Sequence, residues 1–265
     1  MRIINIRKAA ALLAIFVLTA TSVLMPAQAQ TPVVDPAAVK MLKGMTDYMG
    51  SLQSFSVHTQ NTLEHVLDSG QRIDEDTSVS MILSRPDKLL AKRLGGLINQ
   101  VFYYDGKTLT LNNQKENVYA TESAPGTIEG MLDYARESLG LILPASDLVY
   151  GNVYPLLMQG VTSATVVGKT VFNETTCHHL AFSRPDVDFQ VWVMDNGQPL
   201  PCKYVVTDKS TPALVSTSSV FSNWNVKPSV SDSSFSYVPA KGAMKVIFMP
   251  LDTASSQANE SGAKK

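Results

Sequence analysis

Four histidines, two cysteines and one acidic run are the residues of this 265-residue chain whose types could do chemistry. Histidine with cysteine or carboxylate is the donor set of a transition-metal site, and such a site needs its ligands clustered. His58 and His65 lie seven apart in a stretch that reads as one strand, so their side chains leave it on opposite faces. His178 and His179 are adjacent and diverge in the same way, and Cys177 beside His178 gains nothing. Neither pair can chelate from its own strand. Asp74-Glu75-Asp76 has the charge for calcium but lacks the surrounding twelve-residue loop, and a solvated strand face accounts for it. Nucleophile motifs are missing: no Gly-x-Ser-x-Gly elbow, no Ser-x-x-Lys with its partners, no catalytic frame around either cysteine. "GVTSATVVG" lacks the lysine and spacing of a phosphate loop. The expectation is a protein that is not an enzyme and holds neither metal nor cofactor.

Asp105 has a structural reading. It stands with Gly106 between "INQVFYY" and "KTLTLNN", and Asp-Gly between two strand-like runs is a hairpin turn, expected as type I′ with positive φ at both centres. Cys177 and Cys202 are harder to assign. An exported chain meets an oxidising compartment, which favours a disulfide. Yet the two fall on the first and third of three consecutive strands, about 10 Å apart in a flat meander, and a bridge tolerates about 7 Å. Two free, buried thiols are expected.

Export is read from the first 29 residues. Arg2, Arg7 and Lys8 precede an apolar run from Ala9 to about Met25, Pro26 breaks it, and Ala27-Gln28-Ala29 offers the small residues of a cleavage site. This is the pattern of a cleavable secretory signal, with cut after Ala29 and a periplasmic destination. Cleavage removes three basic residues and leaves 19 basic against 23 acidic, a formal charge of −4. That balance gives no electrostatic footprint for nucleic acid or anionic lipid surfaces. No later apolar run approaches spanning length, so no stable membrane insertion of the mature chain is expected. With 45% hydrophobic residues the chain has material for a sizeable core.

The positioning elements follow from periodicity. Residues 30–36 read as an exposed lead-in, with Asp35-Pro36 a good helix start. Val39, Leu42, Met45, Met49 and Leu52 then recur at helical spacing. "SFSVHTQNTLEHVLDSGQRIDEDTSVSMILS" is a long hairpin turning at Asp68-Ser69-Gly70 and alternating with period two. Short strands follow to "NVYAT". Ile128, Met131, Leu132, Ala135 and Leu139 mark a second helix, and 145–158 a weaker helical segment. Strands return over about 162–172, 175–183, 187–194, 200–208 and 214–225, with a last strand or irregular closing segment in 233–249. The tail 250–265 is polar and is expected to be disordered. The whole predicts an α+β fold: one strongly curved antiparallel sheet in a single domain, 37–249, with helices on one side.

The run "LQSFSVHTQ", "SRPDKLLAKR", "YYDGKTLTLNNQKENVYAT", "TIEGMLDYARESLGLILPASDL" and "CHHLAFSRPDVDFQVWVMDNGQPLPCKYVVT" resembles the periplasmic lipoprotein-carrier (LolA/LolB-like) superfamily. Within it the chain is most similar to a family of uncharacterised predicted periplasmic proteins. The resemblance spans about residues 37–225. It implies an incomplete β-barrel whose concave face is capped by helices, with an apolar cavity that in the carriers holds acyl chains. Thr110, Leu111 and Asn112 depart from the aromatic residues the carriers have there.

Burying an acyl chain is worth about 0.8 kcal/mol per methylene. The expected lining is therefore apolar: Phe55, Val57, Leu63, Val79, Met81 and Leu83 from the sheet, with Met131, Leu132, Ala135 and Leu139 from a lid helix. The function expected is that of a soluble periplasmic protein binding or carrying a lipid or other apolar ligand. The alternative is an envelope protein–protein interaction or sensor module with a packed interior.

Overall fold

The computed structural model describes residues 33–96, 98–172 and 174–248; the expected signal (1–29) and tail (250–265) lie outside the described residues. Helix α1 (Pro36–Ser51) starts where the sequence places it. The Asp35 carboxylate accepts from the Ala37 amide at 2.8 Å, satisfying one of the first-turn donors that have no intrahelical partner. Its buried stripe is Ala38, Leu42, Met45 and Met49. The lead-in before it has exposed valine side chains but an anchored backbone: Ala164 donates to the Val33 carbonyl and accepts from Asp35.

Strands β1 (Ser54–Val66) and β2 (Arg72–Ser84) form the long hairpin, paired from Ser54 opposite Ser84 to Val66 opposite Arg72. Gly70, at φ 81°, makes the turn. Then come β3 (Lys88–Gly95), β4 (Asn99–Tyr104), β5 (Thr108–Asn113) and β6 (Val118–Ser123). Helix α2 (Ile128–Glu137) is capped by the Thr127 hydroxyl, which accepts from the Gly130 amide. A 3-10 turn (Ser146–Val149) and α3 (Tyr154–Met158) resolve the weaker helical segment into two short pieces. Gly151 and Pro155, the interruptions visible in the sequence, lie between and within them.

A second meander follows: β7 (Ser163–Phe172), β8 (Thr175–Ser183), β9 (Val187–Met194), β10 (Pro201–Asp208) and β11 (Ser216–Asn225). After a 3-10 turn (Asp232–Phe235), the two-residue β12 (Met244–Lys245) pairs parallel with β6. All strands belong to one sheet, ordered β12-β6-β5-β4-β3-β2-β1-β11-β10-β9-β8-β7. Every named pairing except β12–β6 is antiparallel. The two meanders meet at β1–β11, and β7 and β12 are the edge strands, β7 carrying the parallel bridge from Val34 to Ala164. The expected fold class holds: an α+β protein with an open, curved sheet that does not close into a barrel.

Two expectations are corrected. The Asp105-Gly106 turn is not type I′, because only Gly106 has positive φ, at 90°. The connection is a three-residue loop between β4 and β5, in which Asp105 Oδ1 accepts from the amides of Lys107 and Thr108 at 3.0 and 2.9 Å. Those two bonds replace the second positive-φ residue in fixing the loop. The cysteines are not free: Cys177 and Cys202 form a disulfide with Cα atoms 6.6 Å apart. The flat-meander distance fails because the β9–β10 ladder shifts register between Pro201 and Lys203. Cys202 is the extra residue of that bulge, and bulges bend and twist a strand. Cys177 pairs with Met194, the last residue of β9, where the intervening strand is ending. The bridge packs with Trp192, apart from the main core.

Candidate functional site

The concave face is built by alternation. Odd residues of β1 and β2 point inward, and the ladder carries that face across to Leu89, Ala91 and Arg93 of β3, Phe102 of β4 and Leu109 of β5. Helix α1 covers the β7–β9 side, and α2 with the segment 141–149 covers the other. Between this lid and strands β1 to β5 and β11 lies a cavity of about 100 Å³. Its lining residues are apolar except for Thr59, Arg93 and Ser146. An engineered apolar cavity of about 150 Å³ takes up one benzene, so this volume admits a small apolar group and no full acyl chain unless the lid moves.

The sequence-expected lining divides. Val57, Val79, Met81, Met131, Leu132 and Ala135 face the cavity. Phe55 and Leu83 are buried in the packed core beside it, and Leu139 is half-buried against that core. Leu63 is buried further along the hairpin, away from the cavity. The sequence reading missed Met49, Phe102, Leu109, Phe221 and Trp224. Alternation could have found Phe102 and Leu109 once the β3–β4–β5 register was known. The larger omission is the lid segment Leu141-Ile142-Leu143-Pro144-Ala145, which is apolar but aperiodic. Ile142 remains exposed at the rim.

Two polar clamps hold the lid. Arg85, between β2 and β3, donates from Nη2 to the Val149 carbonyl at 2.7 Å and from Nε to the Leu52 carbonyl at 3.2 Å. Its Nη1 meets Glu129 of α2 at 3.4 Å, and Glu129 also accepts from the Gly151 amide at 2.8 Å. Burial lowers the Arg85 pKa and Glu129 opposes that shift. One guanidinium thus joins the end of α1, α2 and the 3-10 turn to the sheet. Arg136 makes the second clamp, donating to Ser146 and Asp147 at 2.9 Å each. Beside it the Tyr150 hydroxyl donates to Asp133. Burial, followed by that carboxylate, pushes the Tyr150 pKa up to about 12, so the hydroxyl stays a donor. Close approach tightens the same corner: a Cβ on Gly50 would collide with the Gly151 carbonyl.

The residues singled out for chemistry stand apart from the cavity. His58 contacts Ser80 at 3.1 Å on the outer face, and His65 meets Glu75 at 3.2 Å on the inner one. His179 stacks on Trp192, centroids 4.0 Å apart, while His178 lies 3.3 Å from Asp195. Among the described residues no cluster of three histidine, cysteine or acidic side chains could hold a metal ion. No helix among them is long and apolar enough to cross a membrane.

Fold and cavity together define an open curved-sheet protein with a clamped helical lid over an apolar space. The chain belongs to the family described as "Predicted periplasmic protein (DUF2092)", whose model matches residues 38–249. A search of curated proteins found no match. Similar solved structures include LprF from Mycobacterium bovis, at 14% identity and TM-score 0.46, covering 76% of this chain and 98% of that one. An uncharacterised conserved protein from Thermus thermophilus is similar at 10% identity and TM-score 0.46, covering 80% and 99%. A LolA superfamily protein from Nitrosomonas europaea is similar at 11% identity and TM-score 0.40, covering 76% and 97%.

Proposed function

We propose that this is an exported periplasmic protein, cleaved after Ala29, that takes up a lipid or other apolar ligand beneath its lid and carries it without altering it. The supporting observation is the largely apolar cavity at the boundary between the sheet and the clamped lid. A cavity in the middle of a packed core is a defect. One under a separately fastened lid is a space that can enlarge. Native mass spectrometry of the protein purified gently from periplasm, with organic extracts analysed in parallel, tests this. A stoichiometric lipid-sized adduct is expected.

Ala91 lines the cavity on the sheet side, and Ala91→Leu should fill part of it without disturbing the strand. Displacing about two methylenes of ligand costs roughly 1.6 kcal/mol, about tenfold in affinity. Undiminished binding in that variant would take the cavity out of the proposal. The small volume favours a second reading, an envelope interaction module with a packed interior. It expects a bare mass and a protein partner in crosslinks from intact cells.

A further inference from the structure

The concave face is not apolar throughout. Along the hairpin from the lid, β1, β2 and β11 turn Asn61, Thr77 and Ser219 inward, the residues 2%, 2% and 1% exposed. The ladder sets Asn61 opposite both Thr77 and Ser219. One step nearer the cavity, Thr59 stands opposite Val79, and Val79 opposite Arg93. Thr59, Val79 and Arg93 all line the cavity, so the polar group begins at its wall.

This group is incompletely paired. Asn61 Nδ2 donates to the Thr59 hydroxyl at 3.0 Å. Asn61 Oδ1, Thr77 Oγ1 and Arg93 Nε are buried with no partner among the described residues. An unmet buried polar atom costs about 1–3 kcal/mol, and more when charged. Arg93 is half-buried; burial lowers its pKa and the Glu75 carboxylate opposes that shift, but Glu75 makes no hydrogen bond to Nε and stands 3.2 Å from His65 Nε2. A guanidinium is the side chain that best matches a carboxylate or phosphate, through parallel N–H donors. A solvated arginine would extend its stem along the wall and keep the whole head in water. Here Nε is cut off from water, while the partly exposed side chain still borders solvent.

We propose that the cavity takes an amphiphile with an anionic head, its chain under the lid and its carboxylate or phosphate on Arg93. Thr77 supplies a second donor to the same head, and Asn61 Oδ1 accepts from a bound water or a hydroxyl. This rests on the ligand-carrier reading and narrows the ligand class. Neutral lipids such as alcohols and acylglycerols should bind more weakly because they leave the arginine unmet.

Titration of the purified, delipidated mature protein with palmitate, hexadecanol, palmitoyl lysophosphatidate and inorganic phosphate separates the claims. Palmitate or lysophosphatidate should bind at least about tenfold tighter than hexadecanol, a gap of about 1.4 kcal/mol. Which of the two is preferred identifies the head. Arg93→Gln should erase that gap by lowering palmitate and lysophosphatidate affinity toward that of hexadecanol, and Arg93→Lys should keep part of it. The wild-type comparison needs no variant, so it stands even if Arg93→Gln folds poorly. Equal affinity for palmitate and hexadecanol would overturn the anionic head and leave the carrier reading intact. Inorganic phosphate binding as tightly as lysophosphatidate would overturn the amphiphile in favour of a free-anion site. No binding of any tailed probe would overturn both readings.

Discussion

Arg85 ties the lid down through a single side chain, its donors reaching three elements that no backbone ladder connects. Arg85→Met keeps the stem and removes the head, stranding the Val149 and Leu52 carbonyls. Hydrogen bonds to charged groups are worth about 1.5–3 kcal/mol, so a loss of about 2 kcal/mol in denaturant unfolding is expected. A neutral result would mean the clamp is ornamental. Asp188 gives a prediction in pH. Burial works to raise its pKa, but hydrogen bonds from Lys209 at 2.7 Å and Ser183 at 2.6 Å outweigh that and hold it below the ordinary aspartate value. A carboxylate depressed in the folded state contributes stability above its unfolded pKa of about 4, lost as pH falls through the folded value. Asp188→Asn should therefore reduce stability at pH 7 and reduce it much less at pH 2, a difference that urea midpoints at the two values will measure.

At the scale of elements, the β8–β9–β10 meander depends on one bulge. The register shift at Pro201/Lys203 brings Cys202 to Cys177 and closes a loop of sequence separation 25. Loop-closure arguments put such a bridge at about 3 kcal/mol. The paired change Cys177→Ser with Cys202→Ser should lower unfolding free energy by that amount and make the melting temperature insensitive to reductant. An unchanged melting temperature would show that Trp192 and its neighbours hold the corner unaided. The sequence made both half-arguments here, compartment for a bridge and strand spacing against one. Strand spacing lost because a flat ladder cannot represent a bulge.

For the whole molecule, the sheet is continuous and the lid is not. Residues 139–151 hold to the body mainly through side chains and a few turn bonds, whereas the inner strands are bonded along both edges. Local opening draws on segments with few ladder bonds. Amide exchange in 139–151 should thus run faster than in β1, β2 and β11, and should slow when ligand fills the cavity. Uniform exchange across lid and sheet would instead mean the 100 Å³ space opens only on global unfolding. The tilted Tyr103–Tyr237–Tyr119 cluster, centroids 5.3 and 5.0 Å apart, fastens the C-terminal segment to the far side of the sheet. It lies outside the lid's path.

What the sequence determined by itself was whatever depends on near neighbours. Period-two alternation from Phe55 to Leu83 marked the dry face, Asp35-Pro36 marked a helix start, and Asp68-Ser69-Gly70 marked the turn, because side-chain direction and cap bonding are settled within a few residues. The family pattern read over 37–225 reached the same curved sheet. Only the tertiary structure decided the disulfide, the clamps and the exact wall of the cavity. Arg85 meets Val149 across a separation of 64 residues, and Asn61 lies beside Ser219 through the β1–β11 seam. Such contacts follow from sheet curvature and long-range register, which no local spacing encodes.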